Sequence, residues 1–152
     1  MKGGRNMNKK KLLMKGAVFL VTVGLLLALP RGHTFAAEAK LVNIHPVGEG
    51  NLVGFYLDPA NLQISKNTIV VWLSGVQGED VQVIFMEGKT CKDVSANPKA
   101  FNLDSKGCYV SSFISYAETS SLQFVEPGTY QYYVATATGN IKAKGSIIVR
   151  GE

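Results

Sequence analysis

Four side chains beyond position 36 of this 152-residue sequence carry atoms that a soft metal ion prefers: the thiols of Cys91 and Cys108, the thioether of Met86 and the imidazole of His45. Together they would suit Cu(I), which favours sulfur and imidazole donors. The thiols also support a different chemistry. An even cysteine count in an oxidising compartment is expected to close a disulfide. Cys91 and Cys108 bracket the polar stretch "KDVSANPKAFNLDSKG". Closing a loop of that size removes about 3 kcal/mol of unfolded-state entropy. The spacing is not Cys-x-x-Cys, so nothing local is arranged to lower a thiol pKa. A structural Cys91–Cys108 bridge is the expectation. A copper-binding or electron-transfer site rebuilt from Cys, Met and His is the alternative.

Catalytic chemistry finds few candidates. His33, Met1, Met7 and Met14 all lie within residues 1–36, which leaves His45 and Met86 as the single imidazole and thioether beyond them. A centre that needs two His cannot then form within one molecule, and this excludes most catalytic zinc sites. The surroundings of His45, "VNIHPVG", supply no nucleophile. Glu79 and Asp80 fall at a turn and read as solvated, and no motif suggests a pair of glycosidase carboxylates. The expectation is a chain that is not an enzyme, with no catalytic residue and no cofactor.

The first 36 residues follow another logic. Six Lys and Arg between Lys2 and Lys15 precede an unbroken apolar or small run from Ala17 to Leu29, then "PRGHTFAAEA". Basic, apolar and small in that order is a secretory signal peptide. The run of 13 residues falls short of the roughly 20 that a membrane helix needs. Cleavage is expected after Ala36, or after Ala39; Met7 is as good a start as Met1. The chain is therefore expected to be periplasmic or extracellular, with no transmembrane segment after cleavage. Residues 1–36 hold seven of the sixteen basic residues and no acids, so residues 37–152 carry nine bases against eleven acids. A net of −2 with no basic run gives no reason to expect nucleic acid.

Residues 37–152 are one domain in length. They read as short strands about 8–12 residues apart, the pattern of an all-β sandwich. "NTIVVWLSG" is β-branched and aromatic. "DVQVIFMEG" places Val81, Val83 and Phe85 on one face. "KLVNIHPVG", "NLVGFYLDP", "LQI", "SLQFVEPG", "GTYQYYVAT" and "KGSIIVR" bring the expected total to seven or eight. Trp72 reads as a core anchor. Tyr132 and Tyr133 must face opposite sides of their strand. An insertion at about 88–118 breaks the rhythm. It is polar and turn-rich, with room for one helical turn or an extra strand at "CYVSSFIS". Its aromatics, Tyr109, Phe113 and Tyr116, either mark a partner surface or pin the loop to the sandwich, and pinning is the expectation.

"DPANLQISKNTIVVWLSG" resembles the strand entry of the cupredoxins of the plastocyanin and azurin type, through Pro59, Leu62, Ile64, Asn67, Val70 and Trp72. "DVQVIF", "FVEPGTYQYYV" and "KGSIIV" resemble that family's later strands, so the likeness covers roughly residues 50–87 and 119–150. It implies a Greek-key β-sandwich of two sheets, with the first Tyr after Pro-Gly, Tyr130, packed at a strand corner. It also implies a type 1 copper site of two His, a Cys thiolate and an axial Met. The corresponding positions hold Val81, Val134, Ala137 and either Lys142 or Ala143. The resemblance thus implies a member that has lost the copper site. Its expected role is that of a binding or structural module whose partner is another protein of the cell envelope.

Overall fold

The structure is a computed structural model that describes residues 37–48, 52–85, 91–140 and 142–151, with Cys91 described by its backbone alone. The chain divides between Phe35 and Ala36, and all that follows concerns the second unit. The expected signal peptide and the Met86 side chain lie outside the described residues, so the expected cleavage after Ala36 falls at their edge. Within them, no helix is long and apolar enough to cross a membrane.

The second unit is built from strands. They are β1 (Ala39–Val47), β2 (Gly54–Asp58), β3 (Asn61–Ser65), β4 (Ile69–Ser74), β5 (Val81–Phe85), β6 (Ser95–Lys99), β7 (Phe101–Leu103), β8 (Tyr109–Ser111), β9 (Thr119–Phe124), β10 (Gly128–Thr136) and β11 (Lys142–Arg150). One helical turn, α1 (Cys91–Val94), precedes β6. Two sheets form, in the orders β2-β1-β4-β9-β6 and β3-β11-β10-β5-β8-β7. Most neighbours are antiparallel, but β1 runs parallel to β4 and β3 parallel to β11. The fold is an all-β two-sheet sandwich.

Alternation decides which side chains enter the gap between the sheets. In β4 and β5 every second residue is buried: Val70, Trp72 and Ser74, then Val81, Val83 and Phe85. Trp72 is fully buried and meets Phe85, Phe101 and Tyr132 edge-on at 5.9, 5.7 and 5.5 Å between ring centroids. Such edge-to-face pairs add about 0.5–1.5 kcal/mol each beyond the area they bury. Tyr132 points inward and Tyr133 outward. Tyr130 is buried, and its hydroxyl donates to the Glu126 carbonyl at 2.8 Å, closing the corner after Pro127 and Gly128.

Two of the core aromatics carry a polar atom at odds with its surroundings. Tyr132 Oη and Trp72 Nε1 are both buried, and neither meets hydrogen-bond geometry with a partner. Burial pushes the Tyr132 phenol up to about 12, with the nearby Trp72 N–H acting weakly in the other direction. Opposite Tyr132 in the β10–β11 ladder stands Gly145. A Cβ there would strike the hydroxyl end of the Tyr132 ring and lie 2.9 Å from Leu57 Cδ1. Glycine at this position makes room for the ring.

Eleven strands replace the seven or eight expected from the sequence. All eight anticipated segments are strands. The other three, β6, β7 and β8, come from the insertion. That region is not a loop laid over a finished sandwich. β6 extends the first sheet by pairing with β9, while the β7–β8 hairpin extends the second by pairing with β5. The segments are only three to five residues long; β8 falls in the "CYVSSFIS" stretch where an extra strand had room, and the sheet each segment joins is set by neighbours that local periodicity does not reveal.

Two outcomes follow from this core. Gly145→Ala should lower stability by about 1–3 kcal/mol in urea denaturation, because the added methyl overpacks the Tyr132 ring. The second concerns pH. A phenol titrating near 12 when folded and near 10 when unfolded holds its stabilising contribution below pH 10 and loses it as pH rises to 12. Tyr132→Phe should therefore show a smaller loss of melting temperature across that window than the native chain. It should cost little at neutral pH, since no hydrogen bond is removed.

Candidate functional site

Val81, Val134, Ala137 and the Lys142–Ala143 pair gather at one end of the second sheet. Val134 pairs with Val83 on one side and Ala143 on the other. Val81 pairs with Thr136. Val81 and Val134 are fully buried. Ala137 is exposed, and its N–H donates to the Asp80 carbonyl at 3.2 Å. Lys142 points outward with its ammonium 5.4 Å from the centre of the Tyr133 ring. Ala143 is half-buried against the core. None of these side chains offers an electron pair to copper, apart from a lysine amine engaged over an aromatic ring. The residues present do not fit a type 1 copper ion.

A strap of chain, Ser112–Glu118, closes this end. The Ile114 N–H donates to the Val81 carbonyl at 2.8 Å, and the Val81 N–H returns a bond to the Ile114 carbonyl at 3.1 Å. The Ile114 side chain is buried with the valines. Four residues later the strap is tied to the other sheet: Ala117 N–H to Ser74 carbonyl at 2.8 Å, and Ser74 N–H to Glu118 carbonyl at 3.1 Å. At its start, the Ser112 N–H donates to the Ala100 carbonyl at 2.8 Å. A turn at its far end is fastened twice more, by Glu118 N–H to Ser115 carbonyl and by Ser115 N–H to the Glu118 carboxylate.

The strap decides where the insertion's aromatics stand. Tyr109 is buried against Phe101 and pins the insertion, as expected. Phe113 and Tyr116 do not. Phe113 directly precedes the buried Ile114, Tyr116 sits in the turn between Ser115 and Glu118, and the two are 52% and 55% exposed. Pinning was expected for all three; alternation with Ile114 turns Phe113 outward, and the turn carries Tyr116 outward.

The soft-donor residues separate. The His45 imidazole lies on the outer face of the first sheet, stacked on Tyr56 at 4.9 Å and 21°. Cys108 is buried in the core beside the second sheet. The two therefore do not share a site. Met86 and the Cys91 side chain lie outside the described residues. Among the described residues no group of three or more His, Cys, Asp or Glu could hold a metal ion. The backbones around the two cysteines do come together: the Lys92 N–H donates to the Gly107 carbonyl at 3.3 Å. Asp104 shapes the turn that brings them there, its carboxylate accepting from the N–H groups of Lys106 and Cys108 at 2.9 and 2.8 Å.

No protein-family model and no curated protein matches the chain. Solved structures do resemble it in fold. The copper(I) form of a methionine-to-glutamine mutant of amicyanin superposes with a TM-score of 0.47 at 16% identity, covering 74% of this chain and 82% of that one. A reduced tryptophan-to-tyrosine mutant of amicyanin gives 0.46 at 15% identity, over 77% and 87%. The purple cupredoxin from Nitrosopumilus maritimus gives 0.47 at 16% identity, over 72% of this chain and 98% of that one.

Proposed function

We propose that this chain is an exported binding module, without a type 1 copper site and without catalytic activity, that docks another protein of the cell envelope through the strapped end of its sandwich. One observation carries the reading. Phe113 and Tyr116 are large, more than half exposed, and held out by a segment hydrogen-bonded to both sheets. Aromatic side chains on a rigid backbone lose little entropy on binding, which is the usual character of an interface anchor. Interior aliphatics at Val81 and Val134 support the loss of copper. The Lys92–Gly107 contact supports a Cys91–Cys108 bridge.

Double substitution Phe113→Ser with Tyr116→Ser should leave the melting temperature within experimental error, because neither side chain is core. It should abolish co-purification of the envelope protein that the native chain retains. Retention of the same partner at the same yield would refute the docking reading. The copper alternative has its own readout. Titrating Cu(I) and Cu(II) into the unreduced protein should give no stoichiometric binding and no thiolate charge-transfer band. The unfolded, unreduced protein should show no free thiol; two free thiols together with one tightly bound copper would favour the rebuilt site.

A further inference from the structure

The outer face of the second sheet segregates charge. Residues 37–152 hold more acids than bases. Yet the outward positions of β3, β11, β10 and β5 carry Lys142, Lys144 and Arg150 and no carboxylate. Glu38 shares a groove with Arg150 and is paired with Lys40 at 2.8 Å. The hydrogen bond and charge of Lys40 hold its carboxyl below the usual carboxylate range. The cations are also positioned. Lys142 rests over the Tyr133 ring, and the Arg150 guanidinium donates to the Gln63 side-chain oxygen, Oε1.

Between the cations lie uncharged polar side chains, with Ile148 half-buried next to Arg150. Gln131, Ser146 and Asn61 form one cross-strand row over β10, β11 and β3. With Thr129 and Lys144 they line a depression of about 260 Å³. Ser146 Oγ donates to Asn61 Oδ1 at 2.7 Å, which orients that amide and leaves its NH₂ for a ligand. Amides, hydroxyls and spaced cations match a polymer that presents hydroxyls and spaced carboxylates. Lys142 and Arg150 are eight residues apart on one strand, about 26 Å at 3.3 Å per residue, so an occupant that meets both is extended.

We infer that this face binds an anionic polysaccharide of the uronic-acid type, with Lys142, Lys144 and Arg150 meeting its carboxylates and the Gln131–Ser146–Asn61 row meeting its hydroxyls. Three cations over that length are too sparse for duplex DNA, which carries a charge about every 1.7 Å. No large exposed apolar side chain lies on these four strands to enter a bilayer. The polar row rests on β3, β10 and β11 and uses neither Phe113 nor Tyr116, while of the three cations Lys142 lies at the strapped end.

Affinity electrophoresis of the full chain through gels containing polygalacturonate tests it, with methyl-esterified pectin, a single-stranded oligonucleotide and phosphatidylglycerol vesicles as the other probes. Polygalacturonate should retard the protein and methyl-esterified pectin should not. Lys142→Glu with Lys144→Glu should weaken binding at least tenfold. Gln131→Ala should weaken it severalfold with the salt dependence unchanged, a result that simple ion exchange does not produce. Lys92→Glu, away from this face, serves as the charge control, and circular dichroism checks that each variant is folded. No retardation, equal binding of oligonucleotide or vesicles, or an equal loss in Lys92→Glu would overturn the inference.

Discussion

Trp72 sits where the two sheets must agree. Its indole comes from the middle of the first sheet and is met edge-on by Phe85 and Tyr132 from the second and by Phe101 from the insertion. Close packing leaves little freedom there, since interiors are packed as densely as organic crystals. The glycine opposite Tyr132 follows from the size of that ring. The unpartnered Tyr132 hydroxyl and Trp72 N–H are the polar cost of placing two amphipathic aromatics at the centre. Phe101 brings the insertion into the same cluster, so the extra strands share a core with the rest of the sandwich.

That shared core explains the closed end. Val81 and Val134 continue the aliphatic packing up to the end of the second sheet, and Ile114 completes it from the strap. A metal centre at this end would need donors and room, whereas an aliphatic seal needs neither. Once the strap is bonded to Val81 on one sheet and Ser74 on the other, Phe113 alternates with Ile114 and the Ser115–Glu118 turn that reaches Ser74 carries Tyr116, so both face solvent. The seal and the exposed aromatics thus arise from one backbone arrangement.

The outer faces differ in kind. On the first sheet the outward residues include Leu41, Val47 and Tyr56, each well exposed, with His45 stacked on Tyr56. On the second they include amides, hydroxyls and three cations, with Tyr133, Ile84 and Ile148 half-buried among them. A β-sheet presents alternate residues to each side, so one strand can serve a common core and a specialised surface at once. In β11 the inward residues Gly145, Ile147 and Val149 serve the core while Lys142, Lys144 and Arg150 face outward.

Local pattern determined the eight strands of the sandwich, because period-two alternation and β-branched runs act within a few residues. It also determined the burial of Trp72, Val83 and Leu122, the opposition of Tyr132 and Tyr133, and the aliphatic character of the end at Val81 and Val134. The alternating cations of "KAKGS" were equally visible there, but the uncharged row beside them was not. Tertiary structure alone decided that row, since it depends on which strands lie beside β11. It likewise decided that the insertion joins both sheets, that Phe113 and Tyr116 stand outward while Tyr109 is buried, and that His45 and Cys108 are apart. Each of these depends on pairing between residues distant in the chain, and the energy that selects such pairings belongs to partners that no local window contains.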